Sequence, residues 1–204
     1  MANYHSPRRA QAAEATRTTI VETARRLFSE RGYAAVTIAQ IADGAGVAVP
    51  TVYASAGGKA QILRLLIDEA VHDPAVAQTL AVVAASGSAA EMVRATAAGV
   101  RRTHERHWPT LVALIPQCYG EPAAAQVLEA ANREFLAALT DVAGHLITAP
   151  GARPGLTVTE AVDFLWFHLG QSAWFSLVRD RAWTFDRAES WLADNARRAL
   201  CAPS

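Results

Sequence analysis

The stretch GYAAVTIAQIADGAGVAVPTVYASAGGKAQIL, residues 32–63, decides the fold. Gly32 stands where the C-terminal cap of a preceding helix is expected, because glycine reaches left-handed backbone without a Cβ clash. Thr37 and Gln40 have the T-x-x-Q spacing of a capping box, in which two side chains satisfy free N–H groups of a helix's first turn. Ile38, Ile41 and Ala42 give that helix an inward face, and Gly44-Ala45-Gly46 ends it in a tight turn. Pro50 suits the first turn of the next helix, read over Val49–Ser55, since its missing N–H is no loss there. Gly57-Gly58 breaks that helix, and another starts near Lys59. Helix, short glycine-containing turn, short helix is a helix-turn-helix. Ile38, Ile41, Val47 and Val52 are expected to join the two helices and leave the second one's other face to a DNA major groove.

On the N-terminal side, Ile20, Val21, Ala24, Leu27 and Phe28 mark one face of a helix expected over 14–30, behind a flexible arm at 1–13 that carries Arg8 and Arg9. On the other side, the helix from Lys59 is expected to run to His72, where Asp73-Pro74 stops it. Further helices are expected over 89–106, Pro109–Pro116, 122–147, 158–179 and 185–200, with a Pro/Gly-rich loop at 149–155. The expected fold is all-α with about nine helices. A three-helix helix-turn-helix DNA-binding head occupies 1–66, and a helical ligand-binding and dimerisation domain occupies 67–204.

Hydrophobic residues make up 51% of the chain, enough for a folded core. Net charge is zero, but it is unevenly spread. Residues 1–66 hold eight Lys/Arg and four Asp/Glu, while the rest holds eleven and fifteen. A basic head on an acidic body fits a protein that meets DNA with one part only. The first residues, MANYHSPRRAQAAEA, contain no apolar run of the kind a secretion signal needs. The most apolar segment, 161–178, contains Asp163, His168 and Gln171 and reads as a buried helix rather than a membrane span. The expected location is the cytoplasm. Two isolated cysteines form neither a disulfide framework nor a zinc site, and the His104/His107 pair is too few ligands for a metal. No nucleophile elbow, phosphate loop or paired-histidine metalloprotease motif occurs, so no enzyme, cofactor or metal is expected.

Residues 32–63 resemble the signature of TetR-family (tetracycline-repressor-like) regulators. The matching elements are the Gly32-Tyr33 pair, Thr37-Ile38 with Ile41-Ala42, Gly46-Val47, Thr51-Val52-Tyr53, and Lys59 before an apolar helix. The run LVRDRAWTFDRAESWLAD, residues 177–194, is similar to the tail of many members. The chain departs from the pattern at Ala48, where a polar cap is usual, and at Ala54-Ser55-Ala56, where a bulky pair is usual. The resemblance implies a homodimer formed by the last two helices, with a ligand cavity in the body.

The DNA-facing candidates are Thr37, Ala48, Val49, Pro50, Thr51, Tyr53, Gly58 and Lys59. Thr51 suits a base edge or a thymine methyl. The Tyr53 hydroxyl, the Gly58 N–H and Lys59 suit phosphate. The ligand-binding candidates are His104, Trp108, Cys118, Tyr119, Trp166 and Gln171, aromatic and sparsely polar as small-molecule pockets are. The helix over 158–179 is apolar almost all round, so a second subunit is expected to cover it. The interface candidates are Trp166, Leu169, Ala173, Trp174, Leu177 and Trp191. Together these describe a ligand-responsive transcriptional regulator, a repressor that binds a palindromic double-stranded operator as a homodimer and is released by a small-molecule effector. Helix 59–72 is expected to carry that signal. The alternative is a helical ligand-binding or scaffold protein without specific DNA binding.

Overall fold

The computed structural model describes residues 7–118 and 120–203, with the side chains of Pro7, Arg8 and Gln117 left aside. The chain is all-α, and no strand occurs among the described residues. It divides into two compact units, Met1–Glu69 with Pro109–Glu129, and Ala70–Trp108 with Ala130–Ser204. A short central segment thus groups with the head, whereas the sequence suggested a single division near residue 66.

In the first unit, α1 (Pro7–Arg31) is longer than expected. Pro7 opens it, and the exposed, alanine-rich turns of 9–15 carry it forward on helix propensity alone. The expected arm is therefore helical from residue 7, and residues 1–6 lie outside the described residues. Helix α2 (Ile38–Gly44) and α3 (Val49–Ala56) follow, then α4 (Lys59–Val71). Ile20, Leu27, Phe28, Ile41, Val52, Ile62 and Leu66 are almost completely buried and form the core of the head.

The sequence expectation missed α5 (Pro74–Ala85). Asp73-Pro74 ends one helix and also begins the next: the Asp73 side chain accepts from Ala75 N at 2.8 Å, and Pro74 takes the first position. Ala75, Thr79 and Val83 make its buried stripe. Gly99 on α6 lets α5 approach closely, because a Cβ there would collide with the Thr79 side chain.

Helix α6 (Ala89–Cys118) is one 30-residue helix where two were expected. Pro109 and Pro116 lie inside it rather than at its ends. Glu105, whose carbonyl loses its partner at Pro109, is an exposed residue, on the side of the helix where a missing backbone bond costs least. Helix α7 (Pro122–Leu146) matches expectation closely.

The expected helix over 158–179 is broken. Helix α8 (Val158–Leu169) stops at Gly170, which is extended (φ −67°, ψ 162°) and so close to Trp166 that a Cβ would strike its carbonyl. A four-residue α9 (Gln171–Trp174) and a π-helical turn (Phe175–Asp180) follow. Helix α10 (Phe185–Leu200) packs against α8. The loop before α8 is tied to the end of α10 by Arg153 N to Leu200 O at 2.9 Å and Ala202 N to Gly151 O at 3.0 Å.

Candidate nucleic-acid interface

The helix-turn-helix forms as its sequence dictates. Gln40 N donates to Thr37 Oγ1 at 3.3 Å, and Thr37 N donates to Gln40 Oε1 at 2.9 Å, closing the capping box. Gly46 takes the left-handed turn position at φ 66°, and Val47 N reaches back to Ala42 O at 3.0 Å. Ala48 begins α3 without any side-chain cap. Val52 and Ala56 bury one face of α3 against the core. Tyr53, at 56% exposure, leads an opposite face with Val49, Pro50 and Ala54, beside exposed Ala48 and Thr37. Thr51 and Gly58 are half-buried. Thr37→Ala removes the acceptor that starts α2 and is expected to lower stability by about 1 kcal/mol. A urea melt checks it, and an unchanged midpoint contradicts the cap's role.

Lys59 is more engaged than its place in the sequence implies. Its Nζ donates to Ala34 O at 3.2 Å, sits 4.3 Å from the Tyr33 ring centroid, and lies 3.6 Å from Glu121 Oε1. Glu121 comes from the turn before α7, a contact no local pattern announces. Burial pushes the Tyr33 hydroxyl up to about 12, with Glu121 and Cys118 adding to the effect, so the ring stays neutral. Arg25 is likewise committed, to Glu69 at 2.6 Å, Glu22 at 3.2 Å and Thr110 at 2.9 Å. Arg26 pairs with Glu30, and Arg64 with Asp68. Arg9, Arg17 and Arg31 have no acidic partner among the described residues, which leaves part of the head's positive charge for an outside anion.

The ligand-binding candidates do not form one group. His104 and Trp108 join an aromatic cluster in the second unit. His104 stacks on Trp174 at 5.6 Å, and Trp108 meets Phe175 at 5.5 Å and Phe185 at 5.2 Å edge-on. Trp166 instead meets Phe135 of α7 at 5.7 Å, and Gln171 is half-buried at the start of α9. Cys118 belongs to the first unit, fully buried, its thiol pushed up to about 11 by burial and then by Glu121. A thiol so rarely ionised is a poor oxidant sensor. Tyr119 lies outside the described residues. An open groove of about 530 Å³ between α5 and α7, lined by Leu80, Ala84, Thr140, Asp141, Gly144 and His145, includes none of these candidates.

The interface candidates also separate. Leu169 and Trp174 have no exposed surface and belong to the core of the second unit. Trp166, Ala173 and Leu177 are partly buried. Trp191 is 48% exposed, and Phe167, not singled out from the sequence, is 75% exposed. Trp183 stands edge-on to Trp191 at 6.0 Å and carries Arg187 over its face. A helix that is apolar on all sides pointed to this element, but periodicity alone did not say which ring faces outward.

Comparison with known proteins adds to this geometry. Residues 20–66 match the family described as "Bacterial regulatory proteins, tetR family". No curated protein matches the chain. Among solved structures, NalD, the secondary repressor of the MexAB-OprM multidrug efflux pump in Pseudomonas aeruginosa, superposes with a TM-score of 0.78 at 22% identity, over 95% of this chain and 100% of its own. The SmeT–triclosan complex gives 0.71 at 17% identity, over 93% of each chain. PfmR, a TetR-family transcriptional regulator from Thermus thermophilus, gives 0.65 at 21% identity, over 91% of this chain and 95% of its own. Residues 20–66 thus match the tetR family of bacterial regulatory proteins, and the chain has the fold of NalD, SmeT and PfmR.

Proposed function

We propose that this chain is an effector-responsive repressor that binds a near-palindromic operator as a homodimer in the cytoplasm. The observation that carries the reading is the capped helix-turn-helix, whose α3 buries Val52 and presents Val49, Pro50 and Tyr53 outward. Val49 and Pro50 are suited to methyl contacts, Thr51 to a base edge, and Tyr53, Thr37 and the Gly58 N–H to phosphate. The exposed surface of Phe167 and Trp191 on α8 and α10, flanked by Trp166, Ala173 and Leu177, is the face offered to the second subunit. Leu169 and Trp174 support it from within. The effector reading draws on the triclosan bound in SmeT and on the aromatic cluster around His104. No helix among the described residues is long and apolar enough to cross a membrane.

Selection of binding sites from genomic DNA is the test. It should enrich an inverted repeat whose affinity falls steeply with salt as phosphate counterions are released. Thr51→Ala should change the preferred sequence. Tyr53→Phe should weaken all sequences alike. Lys59→Ala should lower the salt slope by about one. Glu121→Gln, which removes the carboxylate facing Lys59, should tighten binding. Enrichment of no sequence at low salt leaves the scaffold reading in possession. An unchanged slope in Lys59→Ala assigns Lys59 to bracing alone.

A further inference from the structure

Among the described residues, His104 Nε2 is a buried side-chain nitrogen with no hydrogen-bond partner. His104 itself retains only 8% of its surface. Its other nitrogen fixes the tautomer: Nδ1 lies 3.0 Å from Val100 O, a carbonyl that only accepts, so Nδ1 carries the proton. Nε2 therefore presents a bare lone pair. Burial also drives the ring's pKa down to about 4, overriding the Val100 bond, so the ring stays neutral near pH 7. Native interiors rarely leave such an acceptor unmet, and an exception asks what meets it.

The surroundings define the partner. Trp174 stacks on the His104 ring, and Phe185 continues the stack at 5.9 Å from Trp174. Trp108 closes the cluster, edge-on to Phe175 and Phe185. Two of these rings, Trp174 and Phe175, come from the irregular stretch between Gly170 and Asp180, where helix gives way to a π-turn. Such turns are rare and recur at functional sites. Ala182 beyond it adopts φ 52°, unusual for a residue with a Cβ. The ring stacked on His104 thus comes from the stretch where α-helix gives way to a π-turn.

We propose that His104 Nε2 is the acceptor for an uncharged aromatic ligand bearing one O–H or N–H donor, which seats among Trp108, Trp174, Phe175 and Phe185 as the 170–180 stretch shifts. The donor is required because Nε2 has a lone pair and no hydrogen to give. The ligand is aromatic because His104 stacks on Trp174 and the side chains that continue from Trp174 are rings, which prefer offset or edge-on ring partners. It is uncharged because an anion would meet the lone pair and any ion would lose its water among the rings. The proposal rests on the effector-responsive reading and names the chemistry of that effector.

Naphthol and its methyl ether test it, since they share a ring system and differ in the donor. Wild-type protein should bind naphthol about tenfold more tightly, the span of one hydrogen bond to a buried acceptor. His104→Phe keeps a ring beside Trp174 and removes the acceptor. That variant should reduce the ratio to about one while leaving the ether's affinity unchanged. In wild-type protein, the nitrogen NMR resonance of His104 Nε2 should move with naphthol and stay with the ether, a readout that needs no variant. Equal affinities for the two probes, binding of neither, or an unmoved resonance overturns the proposal. Operator binding measured on the same samples separates the two readings. Salt-dependent DNA binding without a probe preference removes the His104 site and keeps the regulator. A probe preference without DNA binding does the reverse.

Discussion

Trp174→Ala is expected to destabilise the second unit by about 3–5 kcal/mol, the usual cost of emptying a buried tryptophan site. Trp174 has no exposed surface and stacks on His104 at 5.6 Å. Its Nε1 donates to Leu169 O at 3.2 Å, so one side chain bridges the break at Gly170. Truncation leaves a cavity and unties α8 from α9 together. A loss of that size is a large share of a domain's total stability, about 5–15 kcal/mol. Trp174→Glu should be worse, because a carboxylate there has no partner and no water. Trp191→Glu supplies the contrast. Trp191 is 48% exposed on α10, where a surface substitution usually changes folding by less than about 0.5 kcal/mol. The Trp191 variant should keep the wild type's helical content and run as a monomer in light scattering, while the wild type runs as a dimer. A Trp174→Ala midpoint within error of wild type would remove it from the core, and a dimeric Trp191→Glu would move the subunit interface elsewhere.

The residues that can be read from sequence are those whose cause is local. The capping box at Thr37 and Gln40, the left-handed Gly46 and the start of α10 each follow from a few adjacent side chains and from backbone sterics. The misreadings have local causes too. Asp73-Pro74 reads as a stop, yet the same dipeptide is a cap and a first helical residue, and it opens α5. Pro109 reads as a start, yet the residue four earlier, Glu105, is exposed, which makes a proline tolerable inside α6. Gly170 sits in so apolar a run that its backbone role is hidden, and with it the exposure of Phe167 and the burial of Trp174. Beyond these lie contacts that no periodicity encodes. Lys59 meets Glu121, Arg25 meets Thr110, and Arg106 meets Asp73, each pair separated by tens of residues. The exposed face of α3 is therefore readable in outline, and these long-range charge contacts are not.

Asp73→Ala is the substitution expected to cost most among polar residues, about 3 kcal/mol, combining a lost cap with lost bonds to charged groups. The Asp73 side chain is nearly sealed, and every polar contact it makes is short. Ala75 N donates to Oδ1 at 2.8 Å, Arg106 Nη1 reaches both oxygens at 2.7 Å, and His107 Nε2 donates to Oδ2 at 2.8 Å. One carboxylate thus starts α5 and fastens α6 to it. Burial alone would raise its pKa, but the Ala75, His107 and Arg106 bonds outweigh burial and hold it below the usual carboxylate value. The sign of the pH effect follows. A carboxylate with a lowered folded-state pKa binds fewer protons folded than unfolded, so its contribution is complete above the ordinary value of about 4. It disappears as pH falls through the lowered folded value. The difference in stability between wild type and Asp73→Ala, from urea melts at several pH values, should therefore be flat from pH 7 to about 5 and narrow at lower pH. Asp73→Asn keeps a side-chain oxygen for Ala75 N while removing the charge that binds Arg106 and His107. It should recover part of the loss at pH 7 and lose the pH dependence. A gap that stays constant down to the acid transition would mean that Asp73 acts as a cap alone, with its ion pairs contributing nothing.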